Sequence, residues 1–263
     1  MLAYAAFTPH PLISIPEIGK NQISLIQTIV DAFNVMSQEL YSAKPEILLV
    51  ISGQMPPVDG AFTINQRPQL SIDFSKYGDL SDHKIIQNDI GFGYRIKESV
   101  ESEMPVVLTD ETVLDYGAAV PLFHLTQHLG SSIRVAVIGP SNLSMAQHYS
   151  FGQSINRQVN ITTSRIAVIA SSDLSHGVQN DAGFEYNSKA RAFNERIRTA
   201  LRTKDVQSLL SLSEAESAPS VHDKAMRVAL ILFGILDDRA YIPRELAYDD
   251  TLGVGYLSAQ FQV

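Results

Sequence analysis

His10 stands between Pro9 and Pro11, directly after a short apolar run over residues 2–7. The flanking prolines hold the backbone extended and stiff, and an imidazole held at a strand end suits a metal or a proton transfer. Further along, Asp173-Leu174-Ser175-His176 puts a carboxylate and an imidazole in one tight turn. Such a pair can set the imidazole tautomer and raise its basicity. Tyr248-Asp249-Asp250 precedes Gly253-Val254-Gly255-Tyr256, and two adjacent carboxylates before a glycine turn can serve a cation. Each feature has a plainer alternative. His10 can be a turn residue, the Ser and Asp of 171–175 can cap a helix, and the two acids can cap the turn they precede. His83, His124, His128, His148 and His222 lie in helical or polar contexts and read as structural or surface residues.

The chain has no cysteine, which removes disulfides, thiolate zinc sites and cysteine nucleophiles together. Any metal has to be held by His, Asp, Glu or an amide oxygen, a set that suits iron(II), manganese, magnesium or a histidine-rich zinc site. Gly91-Phe92-Gly93 and Gly253-Val254-Gly255 lack the third glycine and the strand–turn–helix context of a dinucleotide loop. The net charge is -8, with no run of Lys or Arg. Nucleic acid and membrane surfaces are therefore not expected partners, and a small molecule is. The first residues lack a basic, long-apolar leader, and the apolar runs are too short to span a bilayer. Cytoplasmic residence is the expectation.

Elements that could position these groups follow from the patterning. Strands are expected at 2–7, 46–52, 106–109, 133–139, 165–170 and 254–261, with an alternating edge strand over 70–74. Ile23, Ile26, Val30, Phe33 and Leu40 recur at helical spacing and stop at Lys44-Pro45. Further helices are expected over 84–100, 145–157, 182–202, 206–212 and 225–236, with a Ser- and Glu-rich surface turn within 203–220. The alternation predicts an α/β fold: one three-layer domain over 1–263, with a central, largely parallel mixed sheet and helices on both faces. Thr8-Pro9-His10, Ser52-Gly53-Gln54 and Ser171-Ser172-Asp173 each follow a strand, where ligands of parallel sheets bind.

Taken together, TPHPLISIPEIGK at 8–20, LDYGAAVPLFHL at 114–125, IGPSNLSMAQHYSFGQSI at 138–155, ASSDLSHG at 170–177 and AYDDTLGVGYLSA at 247–259 resemble a known family in order and spacing. It is that of the class III extradiol ring-cleavage dioxygenases of the LigB type, and within it the chain looks most like the AmmeMemoRadiSam group that includes Memo. The resemblance implies a LigB-like α/β fold and a non-heme iron(II) centre acting on catechols. By it, His10 is one metal ligand and Gln54 stands where the family has the His of Ser-Pro-His. Asp249 stands for the Glu of Ser-Tyr-Glu. His176 is the family's catalytic acid/base, with Asp173 beside it, and Tyr116 replaces a further active-site His. An amide is a weaker donor than imidazole, and Asp is one methylene shorter than Glu. Iron(II), zinc or no metal all stay open for that reason. So do three functions: a divergent oxidoreductase on a catechol-like molecule, a Memo-like metal-binding protein without ring cleavage, and a pseudoenzyme that keeps the pocket. A homodimer also stays open, since this fold often dimerises.

Overall fold

The computed structural model describes residues 1–81, 83–178, 187–211 and 222–263. The chain opens with β1 (Leu2–Thr8), a helical turn α1 (Pro16–Gly19) and α2 (Gln27–Ala43). After α2 come the strands β2 (Ile47–Ser52), β3 (Phe62–Asn65), β4 (Gln69–Ile72) and β5 (Lys84–Asn88). The middle of the chain is α3 (Ile90–Val100), β6 (Val106–Thr109), α4 (Tyr116–Leu125), β7 (Arg134–Gly139), α5 (Met145–Ile161) and β8 (Ile166–Ser171). Three helices follow, α6 (Ala190–Thr203), α7 (Val206–Leu210) and α8 (His222–Ile235), before β9 (Ile242–Asp249) and β10 (Tyr256–Gln262) close the chain.

The strands form one mixed sheet in the order β4-β5-β7-β2-β8-β1-β10-β9, with β3 and β6 branching from β7. Its centre, β5-β7-β2-β8-β1, is parallel throughout. Antiparallel β4 and the β9–β10 hairpin form the two ends. Strands at the centre are apolar on both faces, as burial on both sides demands: every residue of β2 and β8 is buried. Their alternation divides the core in two. Ile47, Leu49 and Ile51 pack with α3, α5, α6 and α8, whereas Leu48 and Val50 pack with α2 and α4. Helices α5 and α8 approach at Gly152 and Gly234, where an added Cβ on either would overlap the backbone of the other helix. That contact fixes α8, whose first turn carries Lys224.

Several expectations change. The helix expected over 84–100 is a strand followed by a helix. Ile86 and Asn88 face inward from β5 while Lys84, Ile85 and Gln87 are exposed, and Asp89 Oδ1 accepts the Phe92 N–H at 2.8 Å to start α3. Three elements had no clear sequence pattern. β3 has only four residues. β9 holds Pro243, tolerable because it is an edge strand. α4 is buried on nearly all sides and contains Pro121, so it carries no amphipathic stripe. The start of the helix expected at 182, and residues 212–220 of the expected surface turn, lie outside the described residues. No helix among the described residues is long and apolar enough to cross a membrane.

Candidate functional site

The order β2-β8-β1 brings three strand ends side by side, with Ser171 opposite Thr8 on one side and Ser52 on the other. The loops that follow carry His10, Gln54 and Asp173 to one edge of the sheet. His10 is fully buried, and its backbone N–H donates to Asp173 Oδ1 at 2.8 Å. Asp173 Oδ2 lies 3.5 Å from His10 Nε2. The Gln54 amide nitrogen is 3.3 Å from the same Nε2, and Lys224 Nζ donates to Gln54 Oε1 at 3.2 Å.

Donor and acceptor roles in this chain follow from its two ends. Lys224 can only donate, so Gln54 turns its oxygen to Lys224 and its N–H to His10 Nε2. At the other end, Ser171 Oγ donates to the Gly117 carbonyl at 2.5 Å and accepts from His10 Nδ1 at 3.1 Å. This network assigns His10 the Nδ1–H tautomer, with Nε2 facing the Gln54 amide and, at 3.5 Å, Asp173 Oδ2. Below it, Ser52 Oγ donates to Asp115 Oδ1 at 2.5 Å, and Asp115 also accepts the Ala118 N–H at the start of α4. Gly117 lets α4 come this close, since a Cβ there would lie 2.9 Å from Gln54 Cβ.

Burial pushes the Asp115 carboxyl above the usual carboxylate range, against the pull of the Ser52 and Ala118 hydrogen bonds and the nearby His10. Tyr116 presents its ring to the edge of His10 at 5.2 Å between centroids, and burial together with Asp173 raises its hydroxyl to about 12. His176 is held by a backbone bridge to Val254. Burial lowers its imidazole below the ordinary value; His10 and Lys224 add to that, and Asp173 opposes it. A cleft of ≈540 Å³ opens beside Gln54, Asp115 and Tyr116 and runs out past Tyr77, Lys76 and Glu111, a volume suited to a small molecule.

His10, Gln54, Asp173 and Tyr116 are thus brought together, with His176 in the same electrostatic neighbourhood. Asp249 borders the same cluster through Tyr256, whose hydroxyl is pushed up by burial and by Asp173, Asp249 and Tyr116 together, but the Asp249 oxygens are already bonded. Its Oδ1 accepts the N–H of Thr251 at 2.9 Å and the Thr251 hydroxyl, and its Oδ2 accepts from Thr28 Oγ1 of α2 at 3.2 Å. The bland reading of the acids as turn caps describes this one. Asp173 Oδ1 accepts the His10 backbone N–H, and its charge also acts on the His176 imidazole, as expected of a neighbour. Ser52 and Ser171 were marked in the sequence only as strand-end residues, and Lys224 and Asp115 were not singled out; nothing in the helical run around Lys224 marks it.

A divalent metal finds a poor donor set here. The His10 lone pair is capped, Gln54 Oε1 already faces an ammonium, and turning the amide to offer its oxygen to a metal would set its N–H₂ against Lys224. Among the described residues no three His, Asp or Glu side chains are grouped to hold an ion. His124 and His148 are buried as structural groups. The first stacks on Phe33 and bonds Ser14, and the second bonds the 141–144 turn.

A family model described as the catalytic LigB subunit of aromatic ring-opening dioxygenase matches residues 4–259. Protein CA_C1420 of Clostridium acetobutylicum is 23% identical over 261 residues, which is 94% of this chain but 55% of the relative. The chain thus spans about half the length of that curated relative. The crystal structure of an uncharacterised Escherichia coli K12 protein, JW3007, superposes with a TM-score of 0.67 at 15% identity, covering 98% of this chain and 99% of the other. That likeness concerns the fold. The family match spans almost the whole sequence and includes every strand end described above, so the chain belongs to the family of the catalytic LigB subunit of aromatic ring-opening dioxygenases.

Proposed function

We propose that this chain binds a catechol-like aromatic small molecule in the cleft beside Gln54 and Tyr116, at a dioxygenase-type centre whose donor set no longer suits iron. The observation that carries this reading is the hydrogen-bonded line Lys224–Gln54–His10–Ser171, which meets the cleft at Gln54. By the family resemblance His10 and Gln54 stand at the metal position, and here they satisfy each other and their neighbours. Tyr116 supplies an aromatic edge, and the burial-lowered His176 is a neutral acceptor for a ligand hydroxyl proton. Asp173 holds His10 in place through the backbone N–H. A small-molecule ligand in the cytoplasm, with no nucleic acid or membrane partner, belongs to the same reading.

Ring cleavage is the second reading, favoured by the family match together with the retained His10 and His176. One experiment separates the two: calorimetric titration with catechols, run beside oxygen uptake on protein incubated with iron(II). Binding without oxygen uptake supports the first reading. Turnover that requires iron supports the second, and absence of binding by any catechol rejects the proposal.

A further inference from the structure

Asn194 is a buried amide on α6, 1% exposed, and it does not line the cleft. Arg191, Asn194 and Arg198 recur at i, i+3 and i+7, which is one stripe of a helix. That stripe meets β9 and the residue after it: Arg191 pairs with Asp250 at 3.4 Å, Arg198 with Glu245 at 2.6 Å. Between the two arginines, Asn194 Oδ1 accepts the Ser175 backbone N–H at 2.8 Å, and Nδ2 donates to the Tyr248 hydroxyl at 3.1 Å. The hydroxyl donates in turn to Asp250 Oδ2 at 3.3 Å. The orientation of the amide is fixed, because a backbone N–H can only donate.

Ser175 sits in the turn that carries His176. Residues 253–255 hold that turn from one side. The Leu174 N–H donates to the Gly255 carbonyl at 2.8 Å, the Gly255 N–H donates to the Ser175 carbonyl at 3.0 Å, and His176 bridges to Val254. Asn194 holds it from the other side. Glycine at 255 makes room for this, since a Cβ there would overlap Asn194 Nδ2 and crowd Leu174. The turn starts at Asp173, which grips the His10 N–H. A buried N–H without an acceptor is costly, so the Asn194 bond favours this shape of the turn over any that aims the Ser175 N–H elsewhere.

We propose that Asn194 is the positioning residue for His176: through the Ser175 N–H it fixes the 173–176 turn, and with it the place of the His176 imidazole relative to Asp173 and His10. Tyr248 and Asp250 hold the amide in that orientation. The chemical role of His176 rests on the reading given above; the brace rests on the hydrogen bonds to Ser175 and Tyr248.

The test follows each imidazole by NMR titration in the full chain, as wild type, Asn194→Ala, Asn194→Leu, Gly255→Ala and the Asn194→Ala/Gly255→Ala double variant. Burial holds His176 below its ordinary value. Loosening the turn should therefore raise its proton affinity, by at least about twofold, while His124 and His148 titrate as before. Asn194→Leu fills the space without the acceptor and should act as Asn194→Ala does. Gly255→Ala leaves the amide chemically intact but pushes it aside, so it should shift His176 in the same direction. The double variant should shift it no further than the larger single one, as groups acting through one bond do. Any variant that does not fold is replaced by Tyr248→Phe, which frees one side of the amide and should give a smaller shift of the same sign. A His176 titration unchanged in the folded variants overturns the proposal, as does one that moves together with His124 and His148. Catechol titration of the same wild-type sample keeps the two readings apart. Catechol binding with an unmoved His176 leaves the functional reading standing and removes the brace, and a moved His176 without catechol binding does the reverse.

Discussion

Acidification from pH 7 to 5 should weaken this fold by several kcal/mol through two buried histidines that do not line the cleft. Burial lowers both His124 and His148 from 6.5 to about 4; at His148 the Arg227 charge adds to this, against hydrogen bonds to Ser144 and Ser141. The folded value lies below the unfolded one. Between about pH 6.5 and 4 the unfolded chain therefore takes up protons that the folded chain refuses, and stability present above 6.5 is lost as pH falls. One unit is about 1.4 kcal/mol, so at pH 5 each histidine costs about 2 kcal/mol and the pair about 4. That is a large part of the roughly 5–15 kcal/mol typical of a folded domain. Asp115 works in the opposite direction: its raised carboxyl binds a proton in the folded state first, so it returns some stability as pH falls toward the unfolded carboxylate range. Urea unfolding at pH 7 and 5, repeated on His124→Asn, measures the slope, and the substitution should remove about half of the pH-dependent loss. Imidazole proton shifts followed by NMR give the titrations directly. Two buried imidazoles that both titrate near 6, or a stability that does not change between pH 7 and 5, would refute the reasoning.

Gln54→His should raise zinc affinity at least tenfold, or about 1.4 kcal/mol, by uncapping the His10 Nε2 lone pair and adding a second imidazole; an unchanged affinity by calorimetry would mean that the Lys224 charge alone decides. Gly234→Ala should cost about 1–3 kcal/mol or more, because the new methyl group meets the α5 backbone and must push the two helices apart, which denaturant midpoints would register. If turnover is found, His176→Asn should lower kcat by about 10²–10⁴ while leaving stability within about 1 kcal/mol; a destabilised protein with unchanged rate would make His176 a structural residue only.

Much of the architecture was legible because it follows from local rules. Runs such as residues 47–51 are apolar at every position, as a strand covered on both faces requires, and 27–43 repeats its apolar residues at helical spacing. His10 could be placed at a strand end from the two prolines beside it, and the ordered motifs tied His10, Asp173, Tyr116 and His176 to one site. Where local patterning was mixed, it misled. Lys84 to Asn88 has helical-looking neighbours but pairs with β4 and β7, and β9 became a strand because β10 offered it an edge. Asp249 shows a deeper limit. Sequence order aligned it with a metal ligand, but one oxygen is taken by its own turn and the other by Thr28, 221 positions away. Lys224 shows the same limit from the other side: 170 residues separate it from the amide it bonds. Sequence by itself determined the secondary elements, the strand ends and the residue types that a metal site lacks, because these depend on neighbours along the chain. Only the tertiary structure decided which groups bond across the centre, because a hydrogen bond between Lys224 and Gln54 exists only once α8 has packed against α5 and across the end of β2.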